Sequence, residues 1–222
     1  MDFSEPKIVA SLTSEPGRKS EEAREKGADA VEVRIDLYEG SIEDIKDVSL
    51  PVIVTNRPEW EGGYFTGKEE ERIEELKEAM EYGDSVDIEL DAEEFHEEVI
   101  EKAAEEDVKV IVSSHDFDKT PGKEEMVETL EKAGEIGDVA KIAVKAEKPT
   151  DSLKLLGAAE EADTEVAAMA MGGPGSYTRI VSPVHGSKIT YASLGEKTAP
   201  GQLSVEEVAE AWKMLEIGGG DE

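Results

Sequence analysis

Eight short apolar runs, mostly separated by acidic helix-forming stretches, predict a single (β/α)8 TIM barrel over residues 1–222. Two further observations favour it. The length is normal for one α/β barrel, and the chain shows neither a linker nor an internal repeat. Several runs also alternate charged with apolar residues, which gives each strand one charged and one apolar face. A doubly wound open sheet is the competing architecture.

The first run, 7–12, reads Lys7-Ile8-Val9-Ala10-Ser11-Leu12, rich enough in apolar residues for a buried strand. In the second, 30–35, Glu32 and Arg34, with Asp36 beyond, alternate with Val31, Val33 and Ile35. The third, 51–56, leads through Arg57 and Glu61-Gly62-Gly63 into a helical stretch at 68–81. In the fourth, 85–90, Asp87 and Glu89 alternate with Val86 and Ile88, and a helix follows at 92–106. The fifth and sixth, 109–113 and 139–144, flank a helix at 123–136. A helix at 151–161 leads to the seventh run, 165–170, and the eighth covers 188–192. Ser204 with Glu207 forms a capping box that opens the last helix, and Gly218-Gly219-Gly220 ends it. Gly27, Gly83 and Gly137 stand where helices must stop before the next strand.

In a barrel the face toward the helices must be apolar, so the charged set is expected to face the axis. A structural salt-bridge cluster would give the same pattern. Lys141 is the sharpest case, an ammonium inside the apolar run Val139-Ala140-Lys141-Ile142-Ala143-Val144. Burying it is costly unless it is paired or loses its proton. A lysine that loses its proton is a nucleophile toward ketones. Arg34 or Arg179 nearby would favour the neutral amine, and Glu32 or Glu89 the ammonium. His115 lies 26 positions earlier, just past the end of its run and at the barrel end where active sites lie. Lysine and histidine together suggest carbonyl chemistry with proton transfer. Lys145 reads as solvated, His96 as a helix-surface residue, and His185 as a loop residue without an obvious partner.

Of six arginines, Arg18, Arg24 and Arg72 sit in polar helical stretches and are expected at the surface. Arg34, Arg57 and Arg179 fall in strands or strand-end loops, where they fit a carboxylate substrate. Gly172-Gly173-Pro174-Gly175-Ser176 could instead cradle a phosphate. No metal-ligand spacing stands out. Asp87, Glu89 and His115 could hold a divalent ion, but Lys141 would oppose it.

The net charge is −31, from 55 acidic and 24 basic residues spread along the whole chain. An acidic tail therefore does not explain it, and no cluster marks a site for a basic partner. The expectation is a solvated, halophilic surface, repelling itself at low salt. The same charge argues against nucleic acid or anionic membrane as partners. With no cysteine, disulfides and thiolate chemistry are excluded. Met1-Asp2-Phe3-Ser4-Glu5-Pro6 lacks the features of a signal peptide, and no run approaches a membrane span, so a cytoplasmic location is expected.

In order and spacing, these runs resemble type I 3-dehydroquinate dehydratase, the Schiff-base class of the shikimate pathway. The pieces are the first run, Glu32-Val33-Arg34-Ile35-Asp36, Thr55-Asn56-Arg57 with Glu61-Gly62-Gly63, and Asp87-Ile88-Glu89-Leu90. Ser114-His115-Asp116-Phe117, Lys141-Ile142-Ala143-Val144 and Met169-Ala170-Met171-Gly172 follow. Ser176-Tyr177-Thr178-Arg179 and Ala199-Pro200-Gly201-Gln202 complete the set. The resemblance implies a (β/α)8 barrel and a metal-free, cofactor-free syn elimination of water from 3-dehydroquinate. It assigns Lys141 to the Schiff base, His115 to proton transfer and Glu61 to its support. It assigns Ser11, Glu32, Arg34, Arg57, Arg179 and Gln202 to ligand contacts; of these, Arg179 is the one expected on the substrate carboxylate. Thr198 stands where many members have serine and keeps the hydroxyl. The segment between Arg179 and Thr198 is short against bacterial members. Family members often form dimers, so a homodimer is a further expectation. Segments 60–65 and 196–202 read as loops at the mouth. A Schiff-base aldolase of a sugar phosphate and a non-catalytic ligand-binding barrel are the alternatives.

Overall fold

The computed structural model describes residues 1–195 and 197–218. The strands are β1 (Lys7–Leu12), β2 (Ala30–Arg34), β3 (Val52–Thr55), β4 (Ser85–Glu89), β5 (Lys109–Asp116), β6 (Val139–Lys145), β7 (Val166–Met171) and β8 (Ile189–Ser193). Seven α-helices lie between and after them: α1 (Pro16–Glu25), α2 (Glu69–Met80), α3 (His96–Glu106), α4 (Lys123–Gly134), α5 (Pro149–Glu161), α6 (Thr178–Val181) and α7 (Val205–Leu215). All pairings within the eight-stranded sheet are parallel, in the order β7-β6-β5-β4-β3-β2-β1-β8. The last gap is narrowed by a parallel bridge of Val166 with Ser187, and the Lys188 N–H donates to the Val166 carbonyl at 2.7 Å. The sheet is therefore a nearly closed barrel. No α-helix follows β2; the chain makes two 3-10 turns, Ile35–Leu37 and Ile42–Asp47, instead.

The strands divide their side chains as the alternation predicts. Toward the helices, Val31, Val33, Val54, Val86, Ile88, Val112, Ile142 and Val144 join one buried cluster with Leu76, Val99, Leu130 and Leu155. Each such side chain contributes about 1.5–3 kcal/mol on burial. A second cluster, Phe3, Val9, Ala30, Ile53, Ile111, Val139, Ala167 and Ile189 among others, draws mainly on the first residues of the strands. It plugs the N-terminal half of the barrel. The residues two further along are polar: Ser11 lies beside Glu32, Thr55 beside Asp87, and Ser113 beside Lys141. The plug thus forms the floor beneath the polar residues at the C-terminal end.

Strand ends differ from expectation by a residue or so at most edges, and by three at β5. β5 runs on to Asp116, so His115 belongs to the strand, paired with Ala143, rather than to the loop beyond it. The capping box at Ser204 and Glu207 is present. Gly27, Gly83 and Gly137 follow α1, α2 and α4, and Gly27 has the positive φ, 99°, that disfavours other residues. The last helix ends with Glu216 in the left-handed region. Of the glycine run expected to stop it, Gly219 and Gly220 lie outside the described residues. Among the described residues no helix is long and apolar enough to cross a membrane.

Acidic side chains crowd the outside of this barrel, and the chain carries −31. Screening lengths run from about 3 Å in 1 M salt to about 30 Å in 0.01 M. The melting temperature should therefore fall steadily as salt is diluted from molar to about 0.01 M. Thermal melts across that range check this, and an unchanged melting temperature would refute it.

Candidate active site

Lys141 is only 4% exposed. Its Nζ donates to Asp87 Oδ2 at 2.7 Å, lies 4.0 Å from Glu32 Oε1 and sits 4.1 Å above the Tyr191 ring. Lys141 is on β6 and Asp87 on β4, so they meet across the interior, past β5. The charges weighed from sequence were Arg34, Arg179, Glu32 and Glu89. The nearest one is Asp87, whose proximity depends on barrel curvature rather than on sequence spacing. Burial alone would raise the Asp87 carboxyl, but Arg57, Lys141 and His115 hold it well below the usual range. It is a fixed negative charge against the amine.

Arg57 organises the other carboxylates. Its Nη2 donates to Asp87 Oδ1 at 2.6 Å, and its Nη1 donates to Glu89 Oε1 at 2.5 Å and Ser113 Oγ at 2.7 Å. Burial opposes the guanidinium's charge, but Asp87, Glu89 and Glu61 raise its pKa. The two carboxylates considered for a metal are thus committed to arginine. Among the described residues no three metal-ligating side chains cluster. Arg72 overturns its expected surface position. It is fully buried, with Nη2 at 2.8 Å from Glu89 Oε2 and 2.5 Å from Glu69 Oε1. The glutamates around it in sequence imitate a solvated helix face, but Glu89 on β4 draws it inward.

His115 and Glu61 form a second unit. Nδ1 of the histidine and Oε2 of the glutamate are 2.6 Å apart, which leaves Nε2 as the other ring nitrogen. Burial pushes His115 well below its ordinary pKa, aided by Arg57 and Lys141. Burial likewise pushes Glu61 up to about 8, with Glu89 and Asp91 adding to it. Gly62 and Gly63 make the loop possible. Gly62 has φ 72°, and a Cβ on Gly63 would lie 2.0 Å from the Arg57 carbonyl oxygen. The Phe117 ring stacks on the imidazole, centroids 6.1 Å apart.

Arg179, on α6, is 1% exposed. Its Nη1 donates to the carbonyls of Ala170 at 3.0 Å and Gly201 at 3.3 Å, and its Nε has no partner. Every other buried arginine has a carboxylate, but among the described residues none lies within ion-pair distance of Arg179. Burial alone pulls its pKa down to about 10. A buried guanidinium without a carboxylate is able to pair with an anion that enters the cleft.

All ten residues singled out from sequence line one cleft: Lys141, His115, Glu61, Ser11, Glu32, Arg34, Arg57, Arg179, Thr198 and Gln202. Ser11 Oγ and Thr55 Oγ1 donate to Glu32 at 2.9 and 3.1 Å. Arg34 forms a two-point pair with Asp36 at 2.8 and 2.6 Å. Gln202 Oε1 accepts from the Thr198 N–H at 2.8 Å and from its hydroxyl at 3.2 Å. The structure adds Tyr191, Met169 and Met171 to the lining. Met169 and Met171 stood in one of the resembling segments without a role, and Tyr191 lay unremarked in the eighth run. Lys145, Arg18 and Arg24 are exposed, as expected. His96 is half-buried, with Nε2 at 2.9 Å from the Glu89 carbonyl, rather than out on a helix surface. His185 has a partner after all, Glu160 at 3.0 Å. In the glycine loop, the N–H groups of Gly172, Gly175 and Ser176 already donate to Pro200, Gly172 and Gly173 carbonyls. They are not left to cradle a phosphate.

The chain as a whole can be set beside known proteins. Residues 7–218 match the family described as type I 3-dehydroquinase. A 3-dehydroquinate dehydratase of Methanococcoides burtonii is 42% identical over 224 residues, covering 95% of each chain. One from Methanocella arvoryzae is 40% identical, covering 97% of this chain and 99% of its own. Among solved structures, a 3-dehydroquinate dehydratase of Geobacillus kaustophilus superposes with a TM-score of 0.89 at 32% identity, over 96% of this chain and 92% of that one. A type I 3-dehydroquinate dehydratase of Clostridium difficile, described with covalent modified comenic acid, has a TM-score of 0.83 at 31% identity, over 95% and 92%. By sequence match, by identity across nearly its whole length and by shared barrel, the chain belongs to the type I 3-dehydroquinase family.

Proposed function

We propose that this protein is a hydro-lyase of the shikimate pathway that converts 3-dehydroquinate to 3-dehydroshikimate through a Schiff base on Lys141. The observation that carries the reading is a buried amine and a half-buried histidine in one cleft, beside an arginine without a counter-ion among the described residues. The Lys141 amine attacks the C3 ketone, and water leaves to give an iminium ion. Asp87, 2.7 Å from the nitrogen, is the counter-charge to that cation. The iminium draws electrons from the C2–H bond, and His115 takes the C2 proton to leave an enamine. The enamine expels the C1 hydroxyl as His115 returns a proton to it. Water then hydrolyses the product iminium and frees the lysine, so one water is lost overall.

Glu61 orients the imidazole through Nδ1. Arg179 receives the substrate carboxylate, and Glu32, Arg34, Arg57 and Gln202 bound the side of the cleft toward the hydroxyls. Thr198 acts through Gln202, whose carbonyl oxygen it occupies. The engaged N–H groups of the glycine loop favour this reading over a sugar-phosphate aldolase.

The test is mass spectrometry of the protein after borohydride treatment with 3-dehydroquinate. A covalent adduct on the Lys141 peptide is expected, and absence of any adduct despite substrate binding would overturn the reading. Arg179→Met should raise KM about ten- to hundredfold, the worth of a charge-assisted hydrogen bond, with a smaller change in kcat. Steady-state kinetics check this, and an unaltered KM would remove Arg179 from the carboxylate.

A further inference from the structure

We propose that Arg72, which lies outside the cleft, is a positioning residue for the Lys141 amine, acting through Glu89, Arg57 and Asp87. The inference rests on Lys141 being the reacting group. The contacts form a continuous chain of alternating charge. Arg72 Nη2 is 2.8 Å from Glu89 Oε2, and Glu89 Oε1 accepts from Arg57 Nη1 at 2.5 Å. Arg57 Nη2 donates to Asp87 Oδ1 at 2.6 Å, and Asp87 Oδ2 accepts from Lys141 at 2.7 Å. No oxygen of either carboxylate serves both of its cations. Arg72 and Glu89 are both fully buried, and neither lines the cleft. Arg72 Nη1 also donates to the Asn56 carbonyl at 2.7 Å, and its Nε donates to Glu69 Oε2 at 3.0 Å.

Burial already raises the Glu89 carboxyl, and Asp87 adds to this while Arg57 and Arg72 oppose it. Glu61 is a further acid in the same field, and His96 touches only the Glu89 backbone oxygen. Without Arg72, Glu89 has one cation instead of two and holds a proton more readily. A protonated Glu89 no longer shares the Arg57 charge. Arg57 then falls wholly to Asp87, which weakens the counter-charge on Lys141. Arg57 keeps its charge and its place in the cleft, and Arg179 lies outside the chain of contacts, so the loss falls on kcat rather than KM.

The test compares Arg72→Met, Arg72→Lys, Glu89→Gln and the Met/Gln double variant. Arg72→Met should lower kcat about tenfold with KM unchanged, and Arg72→Lys should restore most of it. Its kcat should rise with pH as Glu89 loses its proton, a limb absent from the double variant. The double variant should be no slower than Glu89→Gln alone, since the effect passes through one carboxylate. A folded Arg72→Met enzyme with wild-type kcat and pH profile would overturn the proposal. If Arg72→Met does not fold, Glu89→Gln decides: lost kcat at constant KM supports the chain, and full kcat refutes it. Borohydride trapping on the wild-type protein separates the two levels. No adduct there removes the Schiff-base reading itself, whereas an adduct with indifferent Arg72 variants removes only this inference.

Discussion

Lys141→Ala is expected to lose essentially all turnover, about 10⁴-fold or more, and all borohydride-dependent labelling by 3-dehydroquinate. Removing the amine removes the electron sink, because without an iminium the C2 proton lacks the acidity a neutral histidine needs. The variant should still fold. Asp87 keeps Arg57 and Ser113 on Oδ1, at 2.6 Å each, so its charge is not left bare. Substrate should still bind, since Arg179 is untouched. Kinetics with mass spectrometry of the reduced protein check this. Residual turnover near the wild-type rate would refute Lys141 as the nucleophile.

His115→Ala is the second large effect. It should lower kcat about 10²- to 10⁴-fold, the usual worth of a positioned base, while the adduct on Lys141 still forms and accumulates. Failure to trap an adduct would mean that His115 acts before the imine rather than after it. The pair with Glu61 also gives a pH dependence of definite sign. Burial pushes the Glu61 carboxyl up to about 8 and His115 below its ordinary value, so a proton entering the pair goes first to Glu61. While Glu61 holds it, that proton occupies the bond to Nδ1, and the neutral ring carries its own hydrogen on Nε2. Nε2 then has no lone pair for the C2 proton. As pH rises through about 8, Glu61 becomes a carboxylate that accepts from Nδ1–H, and Nε2 becomes the base. kcat/KM should therefore rise with pH through that value. Glu61→Gln should abolish this step and leave only the protonation of His115 itself, below 6.5. A wild-type profile that is flat around pH 8, or one unchanged in the variant, would refute the account.

Much of this site was legible in the chain because its signals are local. An amine at Lys141 in an apolar run, and carboxylates at Asp87 and Glu89 alternating with Val86 and Ile88, reveal a two-faced strand without any knowledge of its neighbours. Which strands face one another is not local. The pairing of Lys141 with Asp87 skips β5, and the pairing of Arg72 with Glu89 joins a helix to a strand it precedes in sequence. For Arg72 the local rule misled, since flanking glutamates look the same on a wet face as beside a buried ion pair. His115 was placed beyond its strand because polar residues at 113–116 resemble a strand end, whereas in the barrel Ser113 and His115 continue along the inner wall.

The sequence by itself determined the barrel and the inward charged face, because side-chain alternation and helix-stopping signals act over a few residues; Ser11, Glu61, Thr198 and Gln202 were marked by family resemblance and by no local pattern. The tertiary structure alone decided which charge pairs with which. Curvature of the sheet brings side chains from non-neighbouring strands within hydrogen-bond distance. It leaves Lys141 with Asp87, His115 with Glu61 and, among the described residues, Arg179 with no carboxylate. Exclusion of water from that interior is what turns those distances into shifted protonation and chemistry.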